Sequence, residues 1–364
     1  MKNAAYFVVD ENLAAMAGAM SFILSQYDHY DIHVFVERSN RSIAPSELIP
    51  DTVTASNRIH YHFDRLSEFL PDKLPETEQW PKIVYLRLFA PHILSNYSRL
   101  IYLDADIAIF RDLQPLFEIE FPFTVGAVHD HGMLKKTEVL RTEVEPSTNE
   151  WPHGIGLEGC RYFNSGVLLI NTEKWTLLNF QKLIPAYFEK YGQRIRAFDQ
   201  DFLNYTFKKS WMELSPSWNF QTSLFDLGFE HTFQPAIVHF TGPSKPWNDG
   251  LNCLPSAYQK YFTELYDFLG LPHTQTNSKR KLLKKAKAQI RRLLHSIGIQ
   301  SKRSRKHWYF WEKRFRTNKK FVMQALRNER YADDRTQKQI EEPNVFFDGY
   351  TIRTRNLKRA LSQK

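Results

Sequence analysis

Apolar and polar positions along this chain fall into two alternating rhythms. Brief apolar runs at AYFVV (5–9), DIHVFVE (31–37), RIHYHF (58–63), RLIYLD (99–104), FTVGAVHD (123–130) and AIVHF (236–240) have the length and the β-branched or aromatic content of strands. Between them, LAAMAGAMSFILSQ (13–26), KIVYLRLFAPHIL (82–94) and the stretches 177–191, 199–208 and 255–269 read as helices. Pro91 limits the regularity of the second of these, and the small residues of 13–26 predict close packing. VLLINTEKW (167–175) completes the core set. Strands alternating with helices predict an α/β fold with a mainly parallel central sheet. Residues 131–161, rich in charge, Pro and Gly, interrupt the rhythm and read as a long excursion over a site. No internal repeat is present.

Composition narrows the class. A chain of 364 residues has ample length for one large core with an appendage, or for two domains. Two cysteines, Cys160 and Cys253, offer no disulfide framework, so the expectation is a reducing compartment with both side chains buried as apolar groups. No basic leader precedes an apolar stretch, and the longest early apolar patch, MAGAMSFIL (16–24), is too short for the ~20 residues that span a bilayer. The expected location is cytoplasmic, or peripheral at a membrane.

Charge is uneven. Residues 279–320 hold 17 Lys and Arg against one acid, Glu312, whereas the whole chain is only +9, so the remainder is net acidic. Within that segment LLKKAKAQIRRLLHSI (282–297) sets apolar residues along one helical stripe, and HWYFWEKRF (307–315) adds aromatics among basic residues. Basic amphipathic helices with interfacial aromatics lie on anionic lipid. The same composition fits a helix packed on the acidic body; base stacking on nucleic acid is the weaker rival, and the expected partner is the membrane surface, with no nucleic acid. The expected organisation is a catalytic domain over 1–274, a basic membrane-associating segment over 275–320, and an unassigned extension over 321–364.

Candidate chemistry begins at YLDADIAIF (102–110). Residues i and i+2 of an extended chain share a side, so Asp104 and Asp106 can converge at the end of their strand. Like charges held close need a cation or a proton between them, and oxygen ligands favour Mg²⁺, Ca²⁺ or Mn²⁺. A solvated or helix-capping pair is the plainer reading. A second run, AIVHFTGPSKPW (236–247), ends a strand with His239, then Gly242, Lys245 and Trp247. An imidazole beside two carboxylates suits Mn²⁺ better than Mg²⁺; the glycine admits close approach or a positive φ; the lysine brings a point charge for phosphate. The plainer reading there is a buried histidine before a turn.

These stretches carry a resemblance. FVVDEN (7–12), YLDADIAIF (102–110), YFNSGVLLINTEKW (162–175), FDQDFLN (198–204) and HFTGPSKPW (239–247) match, in order, glycosyltransferase family 8, and within it bacterial lipopolysaccharide galactosyl- and glucosyltransferases. The resemblance covers roughly 3–270. It implies a Rossmann-like nucleotide-sugar domain of the GT-A type and retaining transfer of galactose or glucose from UDP-galactose or UDP-glucose to a saccharide, lipid-linked at the inner face of the cell membrane.

It also implies roles, each with a plainer counterpart. Asp104, Asp106 and His239 would hold Mn²⁺, with Mg²⁺ as the alternative. Asp10 and Asn12 would recognise uracil and ribose, although Asp10 also suits a helix cap. Arg87 and Ala105 would lie beside the donor; unaided, Arg87 would be a surface arginine. Asn164 and Gly166 would contact the donor sugar, or simply form a turn into a strand, and Gly242 and Lys245 would serve the diphosphate. Asp199 would bind sugar hydroxyls, Gln200 would lie beneath the anomeric carbon and Asp201 would fix the helix start; capping alone would also place acids there. Two other classes stay open. A nucleotide-sugar binder without transfer activity should lose the metal set, and a nucleotidyltransferase should show a Gly-rich phosphate loop near its start.

Overall fold

Strands whose two faces are both covered need no polar alternation, and that is the pattern of β1 (Asn3–Asp10) and β2 (Asp31–Glu37), apolar and buried through their centres. In the computed structural model, residues 2–50, 56–77, 81–120, 122–132, 154–157, 160–208, 210–222, 224, 235–242, 245 and 256–270 are described. Helix α1 (Ala14–Leu24) follows β1 and is buried along nearly its whole length, its Ala and Gly positions allowing close approach to the sheet. The strands β3 (Ile59–Phe63), β4 (Arg99–Leu103), β6 (Val125–His129), β7 (Phe163–Asn171) and β8 (Trp211–Glu213) join them in a seven-stranded sheet of order β3-β2-β1-β4-β7-β6-β8. Every pairing is parallel except those of β7, which runs against both β4 and β6. A three-stranded sheet, β5 (Ile107–Ile109), β10 (Ile237–His239) and β9 (Phe220–Gln221), stands beside it. The architecture is the expected mixed α/β one with a mainly parallel centre.

Alternation along β1 and β4 divides the core between two faces. Ala5, Phe7, Ile101 and Leu103 pack with α1 and with α7 (Ser256–Leu269), where Phe22 meets Phe268 at 5.1 Å between ring centres. Ala4, Tyr6, Leu100 and Tyr102 pack on the opposite face against α2 (Ile83–Leu86), α3 (Ala90–Ile93), α4 (Thr172–Thr176), α5 (Phe180–Tyr191) and α6 (Phe198–Phe207). Each fully buried aromatic or aliphatic side chain contributes about 1.5–3 kcal/mol relative to exposure.

The single helix expected over 82–94 is instead the two short helices α2 and α3, with Arg87 at the break. Pro91 has no N–H to return to the Arg87 carbonyl, four residues back, and its ring would crowd it. The Tyr6 hydroxyl donates to that carbonyl at 3.1 Å and the Trp175 indole N–H to the carbonyl of Leu88 at 3.0 Å. The break leaves Arg87 8% exposed, so it is no surface arginine. Cys160 is only half-buried, short of the burial expected for it, and Cys253 lies outside the described residues. The segments 133–153 and 271–364, together with Trp247, lie outside the described residues. Among the described residues, no helix is long and apolar enough to cross a membrane.

Candidate metal and donor site

Strand order reverses at β1, which pairs with β2 on one side and β4 on the other. The crevice at the carboxyl ends beside such a reversal is where open α/β sheets receive ligands. Asp10 ends β1 and Asp104 follows β4 directly. The Asp104 N–H donates to the Gly166 carbonyl at 2.8 Å, carrying the β4–β7 ladder one step further. Past Asp106 the chain becomes β5, which pairs antiparallel with β10 so that Ile107 faces His239. The Phe240 N–H closes on the Asp106 carbonyl at 2.9 Å. Backbone register, rather than side-chain reach, therefore brings an imidazole from residue 239 to the two carboxylates.

His239 Nε2 lies 3.1 Å from Asp106 Oδ1 and 3.7 Å from Asp104 Oδ2. One ligand atom from each of the three residues falls within 4.8 Å of the others. Oxygen and nitrogen donors bound to one small divalent ion sit roughly 3 Å apart, given bonds of about 2.1 Å, so the set fits such an ion. A second observation agrees. A Cβ added at Gly166 would come within 2.2 Å of His239 Cε1 and 2.6 Å of Asp104 Oδ2. Only glycine keeps the cradle open at that position. Lys245 donates to Asp106 Oδ2 and, at 2.9 Å, to the Phe240 carbonyl. Burial alone would raise the Asp106 carboxyl; His239 and Lys245 beside it overrule burial and hold it far below the ordinary carboxylate range.

Arg87 links this cradle to the start of α6. Its guanidinium contacts Asp104 at 3.0 Å and Asp199 at 3.3 Å and lies 4.5 Å over the Tyr102 ring. The Tyr102 hydroxyl also donates to Asp104. Asp199 is 1% exposed, and neither of its oxygens has a hydrogen bond; Arg87 gives it charge contact without donor geometry. Burial pushes its carboxyl up to about 7 against the opposing pull of Arg87. The preceding residue, Phe198, has φ +33°, a backbone state costing of order 1–3 kcal/mol for a side chain of that size.

Gln200 is held on both ends. Its Oε1 accepts from the Ser165 N–H at 3.0 Å and from Asn164 Nδ2 at 3.2 Å; its Nε2 donates to Asp130 Oδ2 and to the Tyr162 hydroxyl, both at 3.1 Å. Asp201 accepts from the Tyr162 hydroxyl and from the Arg196 and Ala197 N–H groups at 2.7 and 3.0 Å, which fastens the start of α6 as expected. Burial nonetheless raises its pKa.

The remaining expected residues are less central. Asp10 accepts from the Asn12 and Leu13 N–H groups at 3.0 and 3.1 Å, holding the turn into α1, and Asn12 is exposed. Ala105 packs into the apolar core. Gly242 has φ +100°, the positive angle expected of it. Four contributors escaped sequence reasoning: Tyr102, Tyr162, Ser165 and Asn219. Alternation along β4 could have flagged Tyr102, two residues before Asp104, and Tyr162 and Ser165 lie within the YFNSGVLLINTEKW stretch; Asn219 carries no local signal.

The family model described as glycosyl transferase family 8 matches residues 13–250, which contain every residue of the cradle and of the α6 start. The chain belongs to that family. Among curated relatives, general stress protein A of Bacillus subtilis is 31% identical over 48% of this chain and 62% of its own length. Lipopolysaccharide glucosyltransferase WaaO of Escherichia coli is 28% identical over 48% of this chain and 52% of its own. Lipopolysaccharide 1,3-galactosyltransferase of Salmonella typhimurium is 30% identical over 48% and 52%. The match thus covers little more than half the length of these relatives. A crystal structure of galactosyltransferase LgtC with donor and acceptor sugar analogs superposes with TM-score 0.58 at 23% identity, over 77% of this chain and 99% of that one. The shared fold is of the GT-A type.

Proposed function

We propose that this family 8 protein is a retaining hexosyltransferase that moves galactose or glucose from a UDP-sugar to a saccharide hydroxyl. The observation that carries the reading is the convergence of Asp104, Asp106 and His239 on one point kept open by Gly166. The names of relatives that transfer glucose or galactose in lipopolysaccharide support the sugar class. Mn²⁺, or Mg²⁺ in its place, would be held by those three side chains and would offset the charge of a departing diphosphate. Lys245, beside Asp106, would add a second cation there.

The other residues act around the sugar. Asp199, buried with both oxygens free of hydrogen bonds, would accept from sugar hydroxyls. Asn164 and Gly166 would border the ring, and Asp10, Asn12 and Arg87 would lie on the nucleotide side. Gln200, fixed by Ser165 and Asp130, would face the anomeric carbon from the side opposite the leaving group. An amide oxygen is a poor nucleophile, so we favour attack by the acceptor hydroxyl on the same face as the departing UDP. The amide dipole of Gln200 would then steady the oxocarbenium-like centre, and the acceptor proton would pass to the leaving phosphate.

Incubating the protein with UDP-glucose, UDP-galactose and their N-acetyl forms, with Mn²⁺ or with chelator, tests the reading. Metal-dependent UDP release from one of the two hexoses is expected, with the α configuration kept in the product. An inverted product, or no turnover of any of the four, removes the assignment. The tail expectation, which lies outside the described residues, extends the proposal to a lipid-linked acceptor at the inner face of the cell membrane. Flotation with anionic liposomes should carry the full chain and leave behind a form lacking 275–364; equal partition of the two would end it.

A further inference from the structure

Two backbone N–H groups, which can only donate, fix the orientation of a whole chain of buried amides. The Ser165 N–H points at Gln200 Oε1 (3.0 Å) and the Gly166 N–H at Asn164 Oδ1 (3.1 Å), so both side-chain oxygens are acceptors and both nitrogens donors. Asn164 Nδ2 accordingly donates to Gln200 Oε1 at 3.2 Å, and Gln200 Nε2 to Asp130 Oδ2 at 3.1 Å. Asn164 Oδ1 also receives Asn219 Nδ2 at 2.8 Å. That contact turns Asn219 Oδ1 toward His239 Nδ1, 2.9 Å away. An amide oxygen carries no hydrogen, so the proton between these two atoms belongs to Nδ1.

The consequence falls on the other ring nitrogen. With a cation in the cradle, an imidazole protonated on Nδ1 would turn a lone pair on Nε2 toward it, and Nε2 is the atom aimed at Asp106 Oδ1 and Asp104 Oδ2. Asn219 is fully buried and His239 is 3% exposed. In such a setting a chain of hydrogen bonds polarises along its length, here from the imidazole through three amides to the Asp130 carboxylate. The partner of a ligating histidine's second nitrogen commonly governs metal affinity roughly 10–100-fold.

We propose that Asn219 is a positioning residue: its carboxamide locks His239 in the Nδ1–H tautomer and ties the imidazole, through Asn164 and Gln200, to Asp130. The proposal rests on the reading of Asp104, Asp106 and His239 as cation ligands. It adds a residue from a different part of the chain, and it joins the cation cradle to the floor beneath the sugar through a single path of donors.

The test uses the full chain without donor sugar. Mn²⁺ affinity is read from the electron paramagnetic resonance of the free aqueous ion, for wild type, Asn219→Leu and Asn219→Asp. Leu keeps the branching at Cγ and removes both polar contacts, and binding should weaken roughly 10–100-fold. Asp restores an acceptor opposite Nδ1 and should bring affinity back to within about fivefold of wild type. In parallel, ¹⁵N-histidine spectra of the metal-free wild type, with His239 assigned by its loss in His239→Gln, report the tautomer directly. Nδ1 should carry a proton, whether or not Nε2 also bears one. An unprotonated Nδ1 overturns the proposal, and so does a folded Asn219→Leu protein with wild-type Mn²⁺ affinity. A wild type that binds no divalent ion removes the cation reading instead, while the spectra still decide the tautomer, even where Asn219→Leu does not fold.

Discussion

Two acidic clusters flank Arg87, and they are built on opposite principles. In the cradle, Asp104 and Asp106 follow one strand, His239 ends another, and cations or a cation site face every oxygen. At the start of α6, Asp199 and Asp201 lie two residues apart on one helix, yet one is unbonded and the other fully satisfied. The cradle concentrates negative charge and holds Asp106 ionised. The helix start withdraws charge from water and pushes one carboxyl up to about 7. Position along a chain does not determine how a carboxyl behaves; its donors do.

The sharpest break in this comparison is Asp106→Ala. It removes the ligand that both His239 and Lys245 contact, and transfer should fall on the order of a thousandfold or more; near-normal rates at low Mn²⁺ would clear Asp106 of any ligand role. Gly166→Ala comes next, because its methyl would occupy the space between His239 and Asp104. Metal affinity should drop roughly a hundredfold, and overpacking should cost about 1–3 kcal/mol in chemical denaturation. Unchanged affinity would mean that the ligands can spread.

Gln200→Ala probes the other cluster. Turnover should fall roughly ten- to a hundredfold with UDP affinity within about twofold; a loss confined to UDP binding would place Gln200 elsewhere in the reaction. The smallest effect concerns Asp199. Its native carboxyl keeps a proton up to about pH 7, whereas the unfolded chain releases it near ~3.9. The native state therefore binds more protons across that interval, so stability from this group is full below about pH 4 and is lost as pH rises toward 7. Urea unfolding at about pH 5 and pH 8 should show a downward slope that Asp199→Asn flattens by up to a few kcal/mol, at ~1.4 kcal/mol per unit. Parallel slopes in the two proteins would contradict the burial argument.

Much of this was legible in the residues themselves. The unbroken apolar runs located β1, β2 and β4 because a strand covered on both faces has no solvent side to mark. The i, i+2 spacing of Asp104 and Asp106 located the cradle, and the motif around His239 supplied its third member. The broken helix at 82–94 was less legible. Pro91 signalled irregularity, but the displacement of the break to Arg87 depends on Tyr6 and Trp175, distant residues that take up the freed carbonyls. Asn219 was invisible because an asparagine beside a tryptophan resembles any turn until β9 and β10 bring it to residue 239. The opposite states of Asp199 and Asp201 were equally hidden, since they turn on Tyr162 and on two backbone N–H groups.

One feature of the smaller sheet bears on how the protein comes into being. The last strand of the large sheet, β8, ends at Glu213, well before the short strand that brings His239 into place. In order of synthesis, every strand of the large sheet therefore precedes the imidazole, whereas α7, which covers one face of that sheet, follows it. The third member of the cradle is thus made after the strands that position the first two.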